Sequence, residues 1–218
     1  MKRLRLALGA LILCAGLITV SLAFGRGERD LSPDTIRAVQ QIGAFQRAPQ
    51  KADRLPAAVA RTRIGGQRLV SGASRLVLVR RKAPQERSGN RDSGRVYVAP
   101  TADNKSLCLI VAFDDGGSAT GCGSVAEFLG TRGFHVLIGT AGRPGSLARM
   151  RIIAVTAAHV AELAARMPHS RVNATPNADG GLWTTLDGSA LAQGLPTALV
   201  SYDQHGNEVG SLDMPRWG

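Results

Sequence analysis

The chain has 218 residues, 44% hydrophobic and only 4% aromatic, with a formal net charge of +11. That length allows one domain with an aliphatic core. The charge is uneven, +3 over residues 1–30, +10 over 31–100 and −2 over 101–218, and the basic third has just Phe45 and Tyr97 as aromatics, too few to interleave its arginines, so nucleic acid is not the expected partner. Arginine outnumbers lysine 23 to 4, as in a GC-rich genome.

Taken in chain order, the first element is a leader. Lys2, Arg3 and Arg5 precede an uncharged stretch, 6–24. At about 1.5 Å rise per residue it nearly spans a hydrocarbon core of about 30 Å. Cations stay on the cytoplasmic side, so the expected topology is a single-pass signal-anchor at the cell membrane with the C-terminal domain outside. The alternative is a secreted protein, cleaved near Ala23 at Ser21-Leu22-Ala23. Acylation at Cys14 fits poorly, because Leu13 is bulky where a small residue is expected. Residues 1–30 are thus read as a signal-anchor or transmembrane segment, 31–66 as a helical stalk or subdomain, and 67–218 as an extracytoplasmic, mostly β domain.

A helix is expected after Ser32, a good N-cap, with Pro33 in its first turn and Asp34 at the positive dipole end; Pro49 stops it. A short helix follows over 56–63. Residues 76–79 read as a strand, and Arg80, Arg81 and Lys82 after it are the candidate contact with anionic lipid or an envelope polymer. Residues 83–94 are loop-like. Alternation predicts a strand over 95–99, and 106–113 (SLCLIVAF) is the most apolar strand, the two forming a hairpin. DDGGSATG (114–121) reads as a loop returning the chain to Cys122, with one helical turn over 126–129. Strands are expected over 134–138 and 149–155, separated by a glycine-rich loop, 139–146. Residues 157–167 are ambiguous between helix and strand. The remaining strands are 171–175, 182–185, 197–202 and 208–212, with one helical turn over 189–192. The sum is an α+β fold, short helices first and mostly antiparallel strands after them.

Cys108 and Cys122 form an even pair in the exported part, which reads as a disulfide. Their spacing does not suit zinc. Gly139, Gly142 and Gly145 could offer backbone N–H groups to a phosphate, but GTAGRPGS is neither GxxxxGK[ST] nor GxGxxG. His159 and Glu162 would share a face if helical, yet a metal would need further ligands. There is no GxSxG. Asp114, Asp115 and His135 are the candidates for a hydrolase whose residues meet only in three dimensions.

In their order, FQRAPQKADRLP (45–56), SRLVLV (74–79), RVYVAP (95–100), SLCLIVAF with a cysteine again at 122, and YDQHGNEVG (202–210) resemble a group of uncharacterised exported or membrane-anchored proteins of high-GC Gram-positive bacteria. The group often has a Pro-Asp-Gly turn where this chain has Thr156-Ala157-Ala158. The resemblance implies a topology and supports the Cys108–Cys122 pair; it carries no activity. The expected function is a non-enzymatic binding or structural domain at the cell envelope, without cofactor or metal. Its partners are the membrane, through residues 6–24, and an anionic lipid or envelope polymer; a protein partner is not specified. The alternative is a secreted or envelope hydrolase.

Overall fold

In a computed structural model of the protein, the described residues are 31–64, 66–81, 92–143 and 146–215. The leader 6–24, Lys82 and Gly145 lie outside them. Among the described residues, no helix is long and apolar enough to cross a membrane.

The chain first lays down short helices. In α1 (Pro33–Gln40) the Ser32 hydroxyl accepts the Thr35 N–H at 3.2 Å, and Asp34 pairs with Arg37 one turn on. The expected longer helix does not form; α1 ends and α2 (Gly43–Gln46) starts afresh. The break lets the backbone dock, since Ala44 N–H donates to Asp179 O at 3.1 Å and a Cβ on Gly43 would stand 2.1 Å from Ala178 O. A 3-10 turn (Lys51–Asp53), α3 (Ala57–Ala60) and the small ribbon β1 (Arg63–Ile64) with β2 (Gln67–Arg68) follow.

Three larger sheets come next, every pairing antiparallel. The first contains β3 (Arg75–Arg80), β4 (Gly94–Pro100), β5 (Ser106–Phe113) and β6 (Ser118–Ser124), in that order. The second contains β7 (Phe134–Arg143), β8 (Ser146–Thr156) and β11 (Gly181–Asp187), ordered β11-β8-β7. The third, ordered β10-β9-β12-β13, contains β9 (Glu162–Arg166), β10 (Arg171–Ala174), β12 (Ala198–Tyr202) and β13 (Glu208–Asp213). One helical turn, α4 (Gly188–Ala192), lies between β11 and β12.

Strand alternation explains the stacking. On β8, Ile153 and Val155 join Val96, Val98, Leu107, Leu109 and Val111 of the first sheet in one core cluster. Met150, Ile152 and Ala154, pointing the other way, join Leu163, Ala165 and Leu199 of the third sheet. The second sheet is therefore the middle layer, buried on both faces. The outer face of the first sheet (Tyr97, Ala99, Cys108, Ile110) is covered by Leu55, Val59 and Leu69. Double coverage is why 107–111 is unbroken apolar sequence and fully buried. Residues 31–66 take part in these cores: Val39, Ile42 and Phe45 share a cluster with both the first and second sheets.

Three sequence expectations are corrected. The glycine-rich segment 139–146 is not an extended loop, because β7 runs to Arg143 and β8 starts at Ser146, so Gly139 and Gly142 are strand residues. The loop 114–121 shortens to a turn over 114–117, and Cys122 lies within β6. The ambiguous 157–167 becomes a turn followed by β9, whose Leu163 and Ala165 alternate into the core; third-sheet pairing overrides the helix propensity of the alanines.

Candidate functional site: an arginine-lined mouth between two sheets

β3 and β11 are edge strands of adjoining sheets. They touch where a Cβ on Gly181 of β11 would sit 2.4 Å from Val77 O of β3, and that carbonyl also accepts Asn177 Nδ2, from the turn before β11, at 2.8 Å. Beyond this point they diverge. Between them opens a recess of about 360 Å³, lined by Arg80, Asp92, Arg149, Trp183, Thr184, Thr185 and Asp187.

Register builds this mouth. Ile153 lies opposite Trp183, Arg151 opposite Thr185, and Arg149 opposite Asp187. All six project from one face of the middle sheet, so the inter-sheet core passes outward from apolar to hydroxyl to charge. Gly139, opposite Arg151 on β7, has open space where a Cβ would stand. From the first sheet come Arg80, at the end of β3, and Asp92, just before β4. Arg149 Nη1 donates to Asp92 Oδ2 at 2.6 Å, and Arg151 Nε to Asp92 Oδ1 at 2.9 Å. The side chains of Arg149, Arg151 and Asp92 are 29%, 12% and 11% exposed, so this bridge is sheltered and is not a loose surface pair. At the floor, Trp183 is 8% exposed and packs edge-on against Phe113, centroids 5.9 Å apart. Its buried Nε1 has no hydrogen-bond acceptor among the described residues.

Of the predicted anionic-surface contacts, Arg80 lines the mouth, while Arg81 is exposed beside a neighbouring groove with Val79. Cys108 and Cys122 face each other in register on β5 and β6 with S–S 2.12 Å and Cα–Cα 4.1 Å, a cross-strand disulfide with Cys122 exposed. The candidate hydrolase residues Asp114, Asp115 and His135 are not brought together. Asp114 and Asp115 form the β5–β6 turn, where Asp115 accepts the Gly117 N–H at 2.9 Å. His135, the second residue of β7, lies against Gly121 and Gly123, four or more residues along β6 from that turn. It stacks on Phe128 at 4.3 Å; burial holds its imidazole below the ordinary range, against hydrogen bonds to the backbone of Gly121 and Phe128 that act upward. His159 lies in a turn and Glu162 in β9, so the helical face imagined for them is absent. Among the described residues no group of three or more His, Cys, Asp or Glu side chains could hold a metal ion.

Sequence reading passed over Arg149, Arg151, Asp92, Trp183 and Asp187. Two arginines spaced i, i+2 in an otherwise apolar strand were the available signal, since that spacing puts both on one face. No family model matches the chain, and no curated protein or solved structure is detectably similar to it.

Proposed function

We propose that this chain is a single-pass envelope protein whose three-sheet domain lies outside the membrane, in oxidising surroundings, and binds a partner without transforming it. The observation that carries the reading is the cross-strand Cys108–Cys122 pair, with Cys122 exposed on the edge strand β6. Such a bond persists where no thiol pool reduces it. The uncharged leader behind Lys2, Arg3 and Arg5 supplies the route across the bilayer, and the basic third supports contact with anionic lipid or envelope polymer.

Thiol labelling of intact cells tests this. A membrane-impermeant maleimide should fail to label Cys122 until a reductant is added outside, and then label it without lysis. Labelling without reductant, or only after lysis, overturns the reading. N-terminal sequencing distinguishes the anchored form from one starting near Phe24. Replacing both Cys108 and Cys122 by serine should lower unfolding free energy by up to about 3 kcal/mol, checked by denaturant titration.

A further inference from the structure

We propose that the mouth between β3 and β11 is a binding site for an oxyanion, a carboxylate or phosphate group, held by Arg149 with Arg80 and Trp183 around it. The proposal rests on the binding half of the reading above and not on where the chain resides.

Donor accounting carries it. The recess has the Arg149 guanidinium, the Trp183 indole and the Thr185 hydroxyl on the β8–β11 wall and Arg80 on the β3 side, while Arg151 stands behind Asp92. Against them stand the carboxylates of Asp92 and Asp187. Asp92 is shared between two arginines, and Asp187 lies exposed at the rim. Among the described residues Arg149 gives one N–H to Asp92, which leaves most of its donor fork for another acceptor. The Trp183 Nε1 is buried without an acceptor, a state that costs free energy unless something fills it. Among the described residues, the rest of the Arg149 fork and the Trp183 N–H are donors without an acceptor, an arrangement complementary to a group that only accepts. Guanidinium forks match the planar geometry of carboxylate and phosphate. Divergence of the two sheet edges gives room, and Asp92 holds Arg149 and Arg151 in place before any ligand arrives, which lowers the ordering cost of binding.

The test uses the full chain in zwitterionic detergent, with Trp217→Phe so that Trp183 alone reports by fluorescence. Titration with inorganic phosphate, and separately with acetate, should each change the emission saturably; the stronger arm identifies the source. Sodium chloride at matched ionic strength should not reproduce the change. Arg149→Gln should weaken the response about tenfold or more, Arg149→Lys by less, and Arg171→Gln, on the third sheet, should leave it unchanged. Circular dichroism checks that each variant folds, and Thr185→Val gives a second, uncharged probe of the same wall. A response absent in both anion arms, equal in chloride, or undiminished in folded Arg149→Gln and Arg149→Lys overturns the proposal. Failure here with correct thiol labelling would leave the envelope placement standing.

Discussion

Two arginine–aspartate clusters flank the line along which β3 meets β11, and they differ in saturation. At the closed end, Arg47 forks onto Asp53 at 2.9 and 2.8 Å, reaches Asp179 at 3.2 Å and donates to Leu76 O at 2.9 Å. Asp53, 3% exposed, also accepts the N–H of Gln50 and of Leu76. Each member has a partner in several directions, so the cluster pins the 3-10 turn to the start of β3 and to the β10–β11 turn. At the open end, Asp92 holds two arginines and the strands part. The same residue types thus make a staple where the layers are forced together and a receptive recess where they separate. Identity alone does not decide which; how closely the layers shut over the pair does.

Breaking the staple should have the largest effect. Asp53→Ala leaves Arg47 with Asp179 as its one carboxylate partner and strips the acceptor from the N–H groups of Gln50 and Leu76, at an expected cost of about 3 kcal/mol in denaturant unfolding. The same carboxylate sets an acid limb. Burial acts upward on Asp53, but the Arg47 hydrogen bonds, the Gln50 and Leu76 N–H groups and the Arg47 charge together hold it below the ordinary carboxylate range. Its contribution is therefore complete above the unfolded value of about 3.9 and disappears as pH falls through the lower folded value. Unfolding free energy measured from neutral to strongly acid pH should fall less steeply below that point in Asp53→Ala than in the parent.

Prying the closed end should cost somewhat less. Gly181→Ala forces a Cβ against the Val77 carbonyl, and about 1–3 kcal/mol is expected, with a matching drop in Tm. At the open end, Asp92→Asn should reduce stability by about 1.5 kcal/mol, because the bridge is sheltered but the amide keeps part of its hydrogen bonding to the two arginines. It should also strengthen phosphate binding severalfold in the Trp183 fluorescence assay, the opposite sign from Arg149→Gln. A weakening there would show that Asp92 positions the arginines more than it competes for them. The smallest effect is expected from Gly139→Ala, within about 0.5 kcal/mol, since nothing stands within 4 Å of the added Cβ.

Local rules made much of the secondary structure legible. Ser32-Pro33-Asp34 starts α1 where capping chemistry requires it, and the apolar run 106–113 is β5. The Asp203 turn joins β12 to β13 with its carboxylate accepting the N–H of His205 and Asn207. The misses fall where long-range pairing governs. Gly139 and Gly142 are turn formers locally, yet a ten-residue strand carries them because β8 pairs along its length, with one register shift between Ala141 and Gly142. Alanines at 164 and 165 favour helix, but the third sheet takes them. The stretch 45–56, read as a short motif, contains both halves of the Arg47–Asp53 staple; its reason was hidden because Asp179 and Leu76 lie far along the chain. For the mouth, Arg80 was singled out as part of a basic run, while Arg149 and Arg151 went unremarked.

By itself, then, the sequence determined the antiparallel α+β character, since alternation, caps and turn residues act over a few neighbours. It also contained the leader's polarity, a property of composition. Only the tertiary structure decided that Cys122 stands in a strand directly opposite Cys108, that the middle sheet is buried on both faces, and that Arg80, Asp92 and Arg149 share one recess. Those are statements about register and layer contact between segments that are not neighbours along the chain. They follow from how three sheets jointly bury their apolar faces, and no window along the chain holds that information.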